Sequence, residues 1–171
     1  QSFHDDDLQY LNRRHNGQQA VDSLVYAKEA GFTNITLDLI YGFPGLTTAK
    51  WQINIETFLK LDIPHLSAYH LMVEPKTVFH VLEKKGRFKA VDEELSLEQY
   101  KLLIKMLAEN HYEHYETSNF CKNSMYSRHN TAYWQNKPYI GIGPSAHSYD
   151  GQTRRWNVAG NSAYIQHLKE N

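Results

Sequence analysis

Residues 127–134, SRHNTAYW, bring together side chains that can hold a flat, charged ligand. Imidazole is a usual axial ligand of haem iron, which makes His129 a candidate metal ligand. Guanidinium groups pair with carboxylates. Arg128 is therefore a candidate to bind acidic groups on such a ligand, and so are two consecutive arginines further along the chain, Arg154 and Arg155. The aromatic side chains of the octet can stack on a planar ring.

The same octet also has a purely structural interpretation. If Asn130 caps a short helix, TAYWQN, then His129 and Asn130 stand at its start, and Tyr133 and Trp134 pack inward. Asparagine is a common residue at helix starts, so the residues alone leave both interpretations open.

Asp38 is a second candidate, because it interrupts an apolar, strand-like segment, LDLIYGFPG (37–45). Alternation along a strand places Asp38 on the face opposite to Leu37 and Leu39. A buried carboxylate is costly unless it is paired or hydrogen-bonded. Asp38 can accept hydrogen bonds from ligand hydroxyls or from an ammonium group. The alternative is a structural ion pair with a basic side chain such as Arg13.

Three further motifs carry weaker signals. GIGPSA (141–146) fits the G-x-G-x-x-A dinucleotide-binding pattern, but too few residues follow it for the rest of that unit. Gly141 and Gly143 therefore indicate either a tight turn or a close backbone approach to a ligand or another segment. HYEH (111–114) is typical of a strand, which points its two histidines to opposite faces and disfavours a metal site. KKGRFK (84–89) is typical of a solvated basic loop.

The composition is that of a globular domain and excludes several classes of function. Of the 171 residues, 41% are apolar and 22% charged, and the formal net charge is -1. No global field therefore attracts nucleic acid or an anionic membrane. The sequence has no apolar stretch long enough for a membrane span and no signal peptide pattern. The chain begins at Gln1 and runs at once into the acidic HDDDL, which we interpret as a piece of a longer protein.

Cysteine usage limits the metal chemistry that this chain can support. Cys121 is the single cysteine, which fits a reducing compartment and excludes an internal disulfide framework. Metal and iron–sulfur sites built from three or four cysteines are therefore beyond this chain alone.

Hydrophobic periodicity predicts alternating helices and strands. The predicted helices cover 16–31, a segment from Thr48, a segment from Asp92 or Ser96, and 161–171; the predicted strands cover 35–42, 65–73, 112–120 and 138–143, with a basic loop over 76–91. Such alternation is typical of βαβ crossovers and a mainly parallel sheet. Ligands gather at the carboxyl ends of parallel strands, so we expect functional residues in YGFPG, MVEPKT, TSNF and GPSAHS.

Six ordered segments carry a family resemblance: LDLIYGFPG, HLSAYHLMVEPKT, YEHYETSNF, SRHNTAYW, YIGIGPSAHS and RRWN. Together they resemble the oxygen-independent coproporphyrinogen III oxidase family of radical S-adenosylmethionine proteins, over nearly the whole chain. The H-N-x-x-Y-W pattern in SRHNTAYW resembles the signature of the HemW branch, whose members are regarded as haem chaperones. Two positions depart from the pattern: Lys76 stands where many relatives have the glycine of EPGT, and Ser127 stands where some have a cysteine.

The resemblance implies an α/β fold, made of the later strands and helices of a partial (β/α)6 radical-SAM barrel plus the start of the following region. Residues 1–120 would form the C-terminal part of the barrel, and residues 121–171 the HNxxYW segment, the closing GIGPSAHS strand and loop, and the start of the C-terminal region. The positions expected to bind S-adenosylmethionine are Gln1, Arg13, Asp38, Gly141, Gly143 and His147. The last three would lie near its adenosine part. The family's C-x3-C-x2-C motif for a [4Fe–4S] cluster is absent from this chain.

The function that the resemblance implies is haem binding for delivery to acceptor proteins. The intact protein would be cytoplasmic and would also bind a [4Fe–4S] cluster and S-adenosylmethionine. The haem candidates are Arg128, His129, Asn130, Tyr133 and Trp134, with His129 as the iron ligand. The alternative function is that of a true enzyme, oxidative decarboxylation of coproporphyrinogen III to protoporphyrinogen IX in porphyrin biosynthesis. We expect no catalytic activity from this chain alone, and we expect an open sheet edge that permits self-association.

Overall fold

The computed structural model describes residues 1–86 and 92–170. The chain forms two compact units, Gln1–Tyr126 and Ser127–Asn171. The first unit contains α1 (Asp5–Tyr10), α2 (Gly17–Glu29), β1 (Thr36–Tyr41), α3 (Thr48–Lys60), β2 (His65–His70), α4 (Val78–Lys84), α5 (Glu93–Glu109), β3 (Glu113–Glu116) and β4 (Asn119–Cys121). The second contains α6 (Arg128–Trp134), β5 (His147–Tyr149), β6 (Arg154–Trp156) and α7 (Asn161–Glu170).

The sheet of the first unit has the strand order β1-β2-β4-β3. β1 and β2 are parallel and are joined through α3, which confirms the predicted βαβ crossover. β4 runs antiparallel to both β2 and β3, so the prediction of a mainly parallel sheet is wrong for the described residues. The prediction of a single strand over 112–120 is wrong, because the chain turns back after Glu116. The Glu116 carboxylate accepts the backbone N–H of Ser118 (3.0 Å) and the side-chain amide of Asn119, which stabilises this turn.

One face of this sheet packs on helices to form the core. Leu39, Leu66 and Phe120 are at most 1% exposed, and the side chains that cover them from α3 and α5 are Trp51, Ile55, Phe58, Leu103 and Leu107. Each fully buried side chain of this size contributes roughly 1.5–3 kcal/mol. The opposite face of β1 and β2 carries Asp38 and Ser67, which are register partners.

Side-chain caps set the helix starts. Asn16 caps α2 through a complete capping box with Gln19, as the sequence predicts, and Asp92 rather than Ser96 caps α5. The third helix, α3, begins at the predicted Thr48 and is capped by Thr47, which the sequence analysis did not single out. The predicted loop over 76–91 is wrong in part, because Thr77 caps the short helix α4. Residues 87–91 of the predicted basic loop lie outside the described residues.

Lys76 occupies a turn position with φ +69°. This is the left-handed region that glycine adopts at no steric cost. The turn therefore keeps a conformation suited to the family's glycine, although the residue is lysine.

The second unit is built on a hairpin rather than on an apolar core. β5 and β6 pair antiparallel, and the predicted strand over 138–143 is reduced to one bridge in which Tyr139 and Tyr149 exchange two backbone hydrogen bonds of 2.8 and 2.9 Å. All described residues of this unit are half-buried or exposed. Its conformation consequently depends on hydrogen bonds and ring contacts.

Candidate functional site

The structure brings three predicted cofactor residues together at the outer edge of β1. Asp38 is exposed in the middle of the strand, between the buried Leu37 and Leu39, as the alternation predicts. The backbone carbonyl of Gln1 accepts the N–H of Ile40 at 2.9 Å, so the first residue runs beside this strand.

Two opposite charges, the Asp38 carboxylate and the Arg13 guanidinium, lie within electrostatic reach of the backbone nitrogen of Gln1. Among the described residues, the structure records no ion pair between Arg13 and Asp38, so the structural ion pair considered above is not formed. A carboxylate and a guanidinium, both exposed, are thus available to a polar ligand near this edge.

The loop after β1 is anchored by Gln99 of α5, which sequence reasoning missed. Its side-chain oxygen accepts the N–H of Gly42 (2.9 Å), and its side-chain N–H group donates to the carbonyl of Leu46 (2.8 Å). Gly42 has φ +77°, and a Cβ there would lie 2.4 Å from the His70 ring. The available signal was a polar residue within the apolar stripe of α5, where Gln99 is fully buried beside Leu103.

The GIGPSAHS loop is a compact turn rather than a dinucleotide-binding motif. A Cβ on Gly141 would lie 2.1 Å from the carbonyl oxygen of His147, so the predicted close backbone approach is to another segment of the chain. The side-chain amide of Asn157 donates to the carbonyls of Gly141 (3.2 Å) and Gly143 (2.9 Å). The dinucleotide interpretation is wrong, because β5 follows the loop where that motif requires a helix.

His147 lies in the second unit at the start of β5. Its side chain is exposed, and its ring centroid is 5.8 Å from that of Trp156, its register partner on β6. Sequence reasoning gave Asn157 and Trp156 no role of their own, although both lie in the RRWN segment.

The SRHNTAYW segment forms α6, but its details differ from the structural interpretation. Ser127 is the N-cap, and its hydroxyl accepts the N–H of Asn130 at 3.3 Å, so Asn130 lies within the first turn instead of capping it. Tyr133 and Trp134 do not pack inward, since they are 46% and 68% exposed. The octet therefore presents aromatic surface to solvent.

These two residues line a cleft of about 500 Å³ within the second unit. The remaining lining residues are Asn136, Lys137, Tyr139, Tyr149 and Arg154. Tyr133 and Tyr139 meet edge to face at 4.9 Å between ring centroids. The cleft thus combines aromatic faces with two cationic side chains, and its volume is within the usual range for small-molecule sites.

The other haem candidates lie beside this cleft rather than in its wall. His129 is exposed, and its ring contacts Tyr133 edge to face with 5.0 Å between the ring centroids. Its imidazole is therefore next to a residue that lines the cleft. Arg128 is exposed in the first turn of α6, and neither Arg128 nor Asn130 is among the described residues that line the cleft.

No described residues fit an iron–sulfur cluster. Cys121 is buried, and burial followed by the nearby Glu113 raises the pKa of its thiol to about 11, which disfavours the thiolate that metals bind. Across residues 1–86 and 92–170, no group of three or more metal-binding side chains is present. Within the same residues, no helix is both long enough and apolar enough to cross a membrane.

Comparison with known proteins finds relatives that are similar to nearly the whole of this chain. Heme chaperone HemW of Bacillus subtilis is 42% identical over 170 residues, covering 99% of this chain and 45% of the relative. Heme chaperone HemW of Lactococcus lactis is 37% identical over 166 residues, covering 97% of this chain and 44% of the relative. The chain thus spans less than half the length of these curated relatives. No family model matches the chain.

A solved structure shows the same fold. The chain of coproporphyrinogen III oxidase from Escherichia coli, a radical SAM enzyme, superposes on all of this chain with a TM-score of 0.81 at 20% identity, and 42% of that chain is covered. The chain described here therefore has part of a radical SAM α/β fold. By sequence it belongs with the HemW proteins.

Proposed function

We propose that this chain is part of a cytoplasmic HemW-like protein that binds haem and delivers it to acceptor proteins. The observation that supports the proposal best is the cleft at the branch signature, where Tyr133 and Trp134 are exposed next to two cationic side chains. Exposed aromatic surface of this kind is costly in water and is typical of a ligand or partner site. The matches to relatives named as heme chaperones extend over 99% and 97% of this chain.

His129 is the proposed iron ligand. Its imidazole is exposed and packs against the Tyr133 ring, so it borders the cleft that would receive the macrocycle. Neutral imidazole is a common haem ligand, and Ser127 holds the turn that carries it by capping α6.

The first unit is proposed to contribute to an S-adenosylmethionine site of the whole protein. Asp38 would accept hydrogen bonds from hydroxyl or ammonium groups of the cofactor, and Arg13 would pair with its carboxylate. When bound beside a reduced [4Fe–4S] cluster, this cofactor supplies a 5′-deoxyadenosyl radical. The cluster's cysteines would come from outside this chain, and the adenosine role of Gly141, Gly143 and His147 stays a prediction.

A haemin titration followed by absorbance tests the haem proposal. We expect the chain to give a saturable Soret shift that His129→Ala loses or weakens at least tenfold. His111→Asn is the matched control, because His111 is also exposed and its φ of +64° is tolerated by asparagine. If His129→Ala bound haemin as tightly as the unaltered chain, His129 would not be the ligand. If neither the unaltered chain nor the two variants bound haemin, the proposal for this chain would be contradicted.

The alternative function, that of a coproporphyrinogen III oxidase, rests on the shared fold. Product analysis distinguishes it from the haem-chaperone proposal. The assay needs the full-length protein, reconstituted with cluster and cofactor and supplied with coproporphyrinogen III. Formation of protoporphyrinogen IX would support the oxidase and contradict the chaperone proposal. We expect no such product.

A further inference from the structure

We infer that the cleft of the second unit binds a tetrapyrrole through its ring face and its two carboxylates, with Lys137 and Arg154 as the carboxylate partners, and that the iron is not required. This inference rests on the proposed function and specifies how the same site recognises its ligand. Its consequence is that metal-free porphyrin acids are ligands, whereas porphyrin esters, which lack the carboxylates, bind only weakly.

A row of three residues forms one wall of the cleft. Tyr139 is bridged to Tyr149, and Tyr149 is the register partner of Arg154 on β6. Directly opposed residues in antiparallel pairs project to the same face. Two aromatic rings and a guanidinium therefore stand side by side, with 6.1 Å between the centroids of the tyrosine rings.

The end of α6 places the second cation, Lys137, in the lining of the cleft. After Trp134 the helix ends with Asn136 at φ +51°, and the N–H of Lys137 donates to the carbonyl of Ala132 at 3.0 Å. This helix end returns the backbone of Lys137 to the last turn, next to the aromatic pair Tyr133 and Trp134. Lys137 and Arg154 are both exposed cleft residues, and the structure records no carboxylate within 4.0 Å of either among the described residues.

Arg155, although adjacent, has a different environment. It is the register partner of Ser148 and so projects to the face opposite Arg154. The neighbouring Asp150 carboxylate is held in the hairpin turn by the N–H groups of Thr153 (2.8 Å) and Gln152 (2.9 Å), which lower its pKa to about 2, and the charge of Arg155 contributes least to this shift. One arginine of the pair therefore projects away from the face of Arg154, and Arg154 lines the cleft.

The side chains that line the cleft can contact a porphyrin without its iron. Its seven residues supply three tyrosines, one tryptophan, one asparagine and two cations. Aromatic rings bind the face of a macrocycle whether or not it holds iron, and ammonium and guanidinium groups bind carboxylates. Recognition by these groups would position a tetrapyrrole before or without ligation by His129.

Protoporphyrin IX and its dimethyl ester, titrated separately, test this inference. Binding is followed by the Soret band of the porphyrin and by quenching of tryptophan fluorescence, since Trp134 lines the cleft. The proteins are the unaltered chain, Lys137→Met, Arg154→Gln, the double variant, and Arg155→Gln as the matched control. All three positions are exposed, so the fold is expected to be retained.

We expect the free acid to bind the unaltered chain and Arg155→Gln equally, each cleft variant to weaken it about tenfold, and the ester to bind weakly to every protein. Unchanged binding of the free acid by the double variant would overturn the inference, as would an Arg155→Gln effect equal to that of Arg154→Gln. A haemin titration of the same proteins and of His129→Ala distinguishes failure of this inference from failure of the proposed function. Haemin binding that depends on His129 but not on the two cations leaves haem binding intact and removes only the carboxylate role, whereas loss of both ligands by the unaltered chain contradicts both.

Discussion

His65 is a buried titratable residue that the proposed sites do not use. Its side chain is 0% exposed at the start of β2, and one ring nitrogen, Nε2, lies 2.6 Å from the Tyr115 hydroxyl. The other nitrogen, Nδ1, is buried and has no hydrogen-bond partner among the described residues. Burial lowers the pKa of His65 to about 4, because the charged imidazolium would lack both water and a second acceptor.

This pKa predicts a loss of stability at mildly acidic pH. The unfolded chain takes up a proton on this residue near pH 6.5, whereas the folded chain does so only near pH 4. Between these values the unfolded state binds more protons, so the free energy of unfolding falls as pH falls. From pH 7 to pH 5 the His65 contribution is about 2 kcal/mol.

Urea unfolding at pH 7 and pH 5 measures this effect. His65→Gln keeps a hydrogen-bonding side chain beside Tyr115 but does not titrate, so we expect a lower stability at pH 7 and a shallower dependence on pH. The exposed-site variant His111→Asn should keep the full dependence. The explanation is wrong if His65→Gln and the unaltered chain lose the same free energy of unfolding between the two pH values.

At the level of single residues, the sequence predicted some site features and missed others for identifiable reasons. Alternation correctly placed Asp38 opposite the core, because a strand has a fixed period of two. The sequence could not show that Tyr133 and Trp134 are exposed, because large aromatic residues are usually buried in a core. Only the folded structure reveals that these two residues line a cleft.

At the level of elements, some helix caps were predictable and local turns were not. The caps of α2 and α5 follow from side chains that accept a backbone N–H three residues away, whereas the cap of α6 is Ser127 and not the predicted Asn130. The turn between β3 and β4 depends on Glu116, a residue type with no strong turn preference, and α4 is a short helix in a polar segment. The parallel β1 and β2 pair could be predicted, whereas the antiparallel hairpin could not.

Gln99 is the contact through which α5 holds the loop after β1. We predict that Gln99→Leu lowers the free energy of unfolding by about 2–4 kcal/mol, because it leaves the N–H of Gly42 and the carbonyl of Leu46 buried without partners. Glu98→Gln is the matched control on the exposed neighbour, with an expected change within about 0.5 kcal/mol. Chemical denaturation of the two variants decides the matter, and equal midpoints would mean that the loop does not depend on Gln99.

At the level of the whole molecule, β1 forms one border of the four-stranded sheet. The N–H of Ile40 points away from β2, because it donates to Gln1. Residues two apart in a strand present their backbone groups to the same side, so Asp38 and Thr36 also direct theirs outward. Unpaired backbone groups at a strand edge are a template for pairing with another chain.

We therefore predict that this chain self-associates through β1 as its concentration rises. Sedimentation velocity over a range of concentrations should show a growing dimer or larger species. Thr36→Lys should suppress it, because an edge lysine brings a charge that opposes strand pairing. Thr33→Lys carries the same change in charge at an exposed position outside the strand and should leave association unaltered. Equal suppression by both variants would indicate general charge repulsion, and a monomer at all concentrations would mean that the edge is protected in this chain.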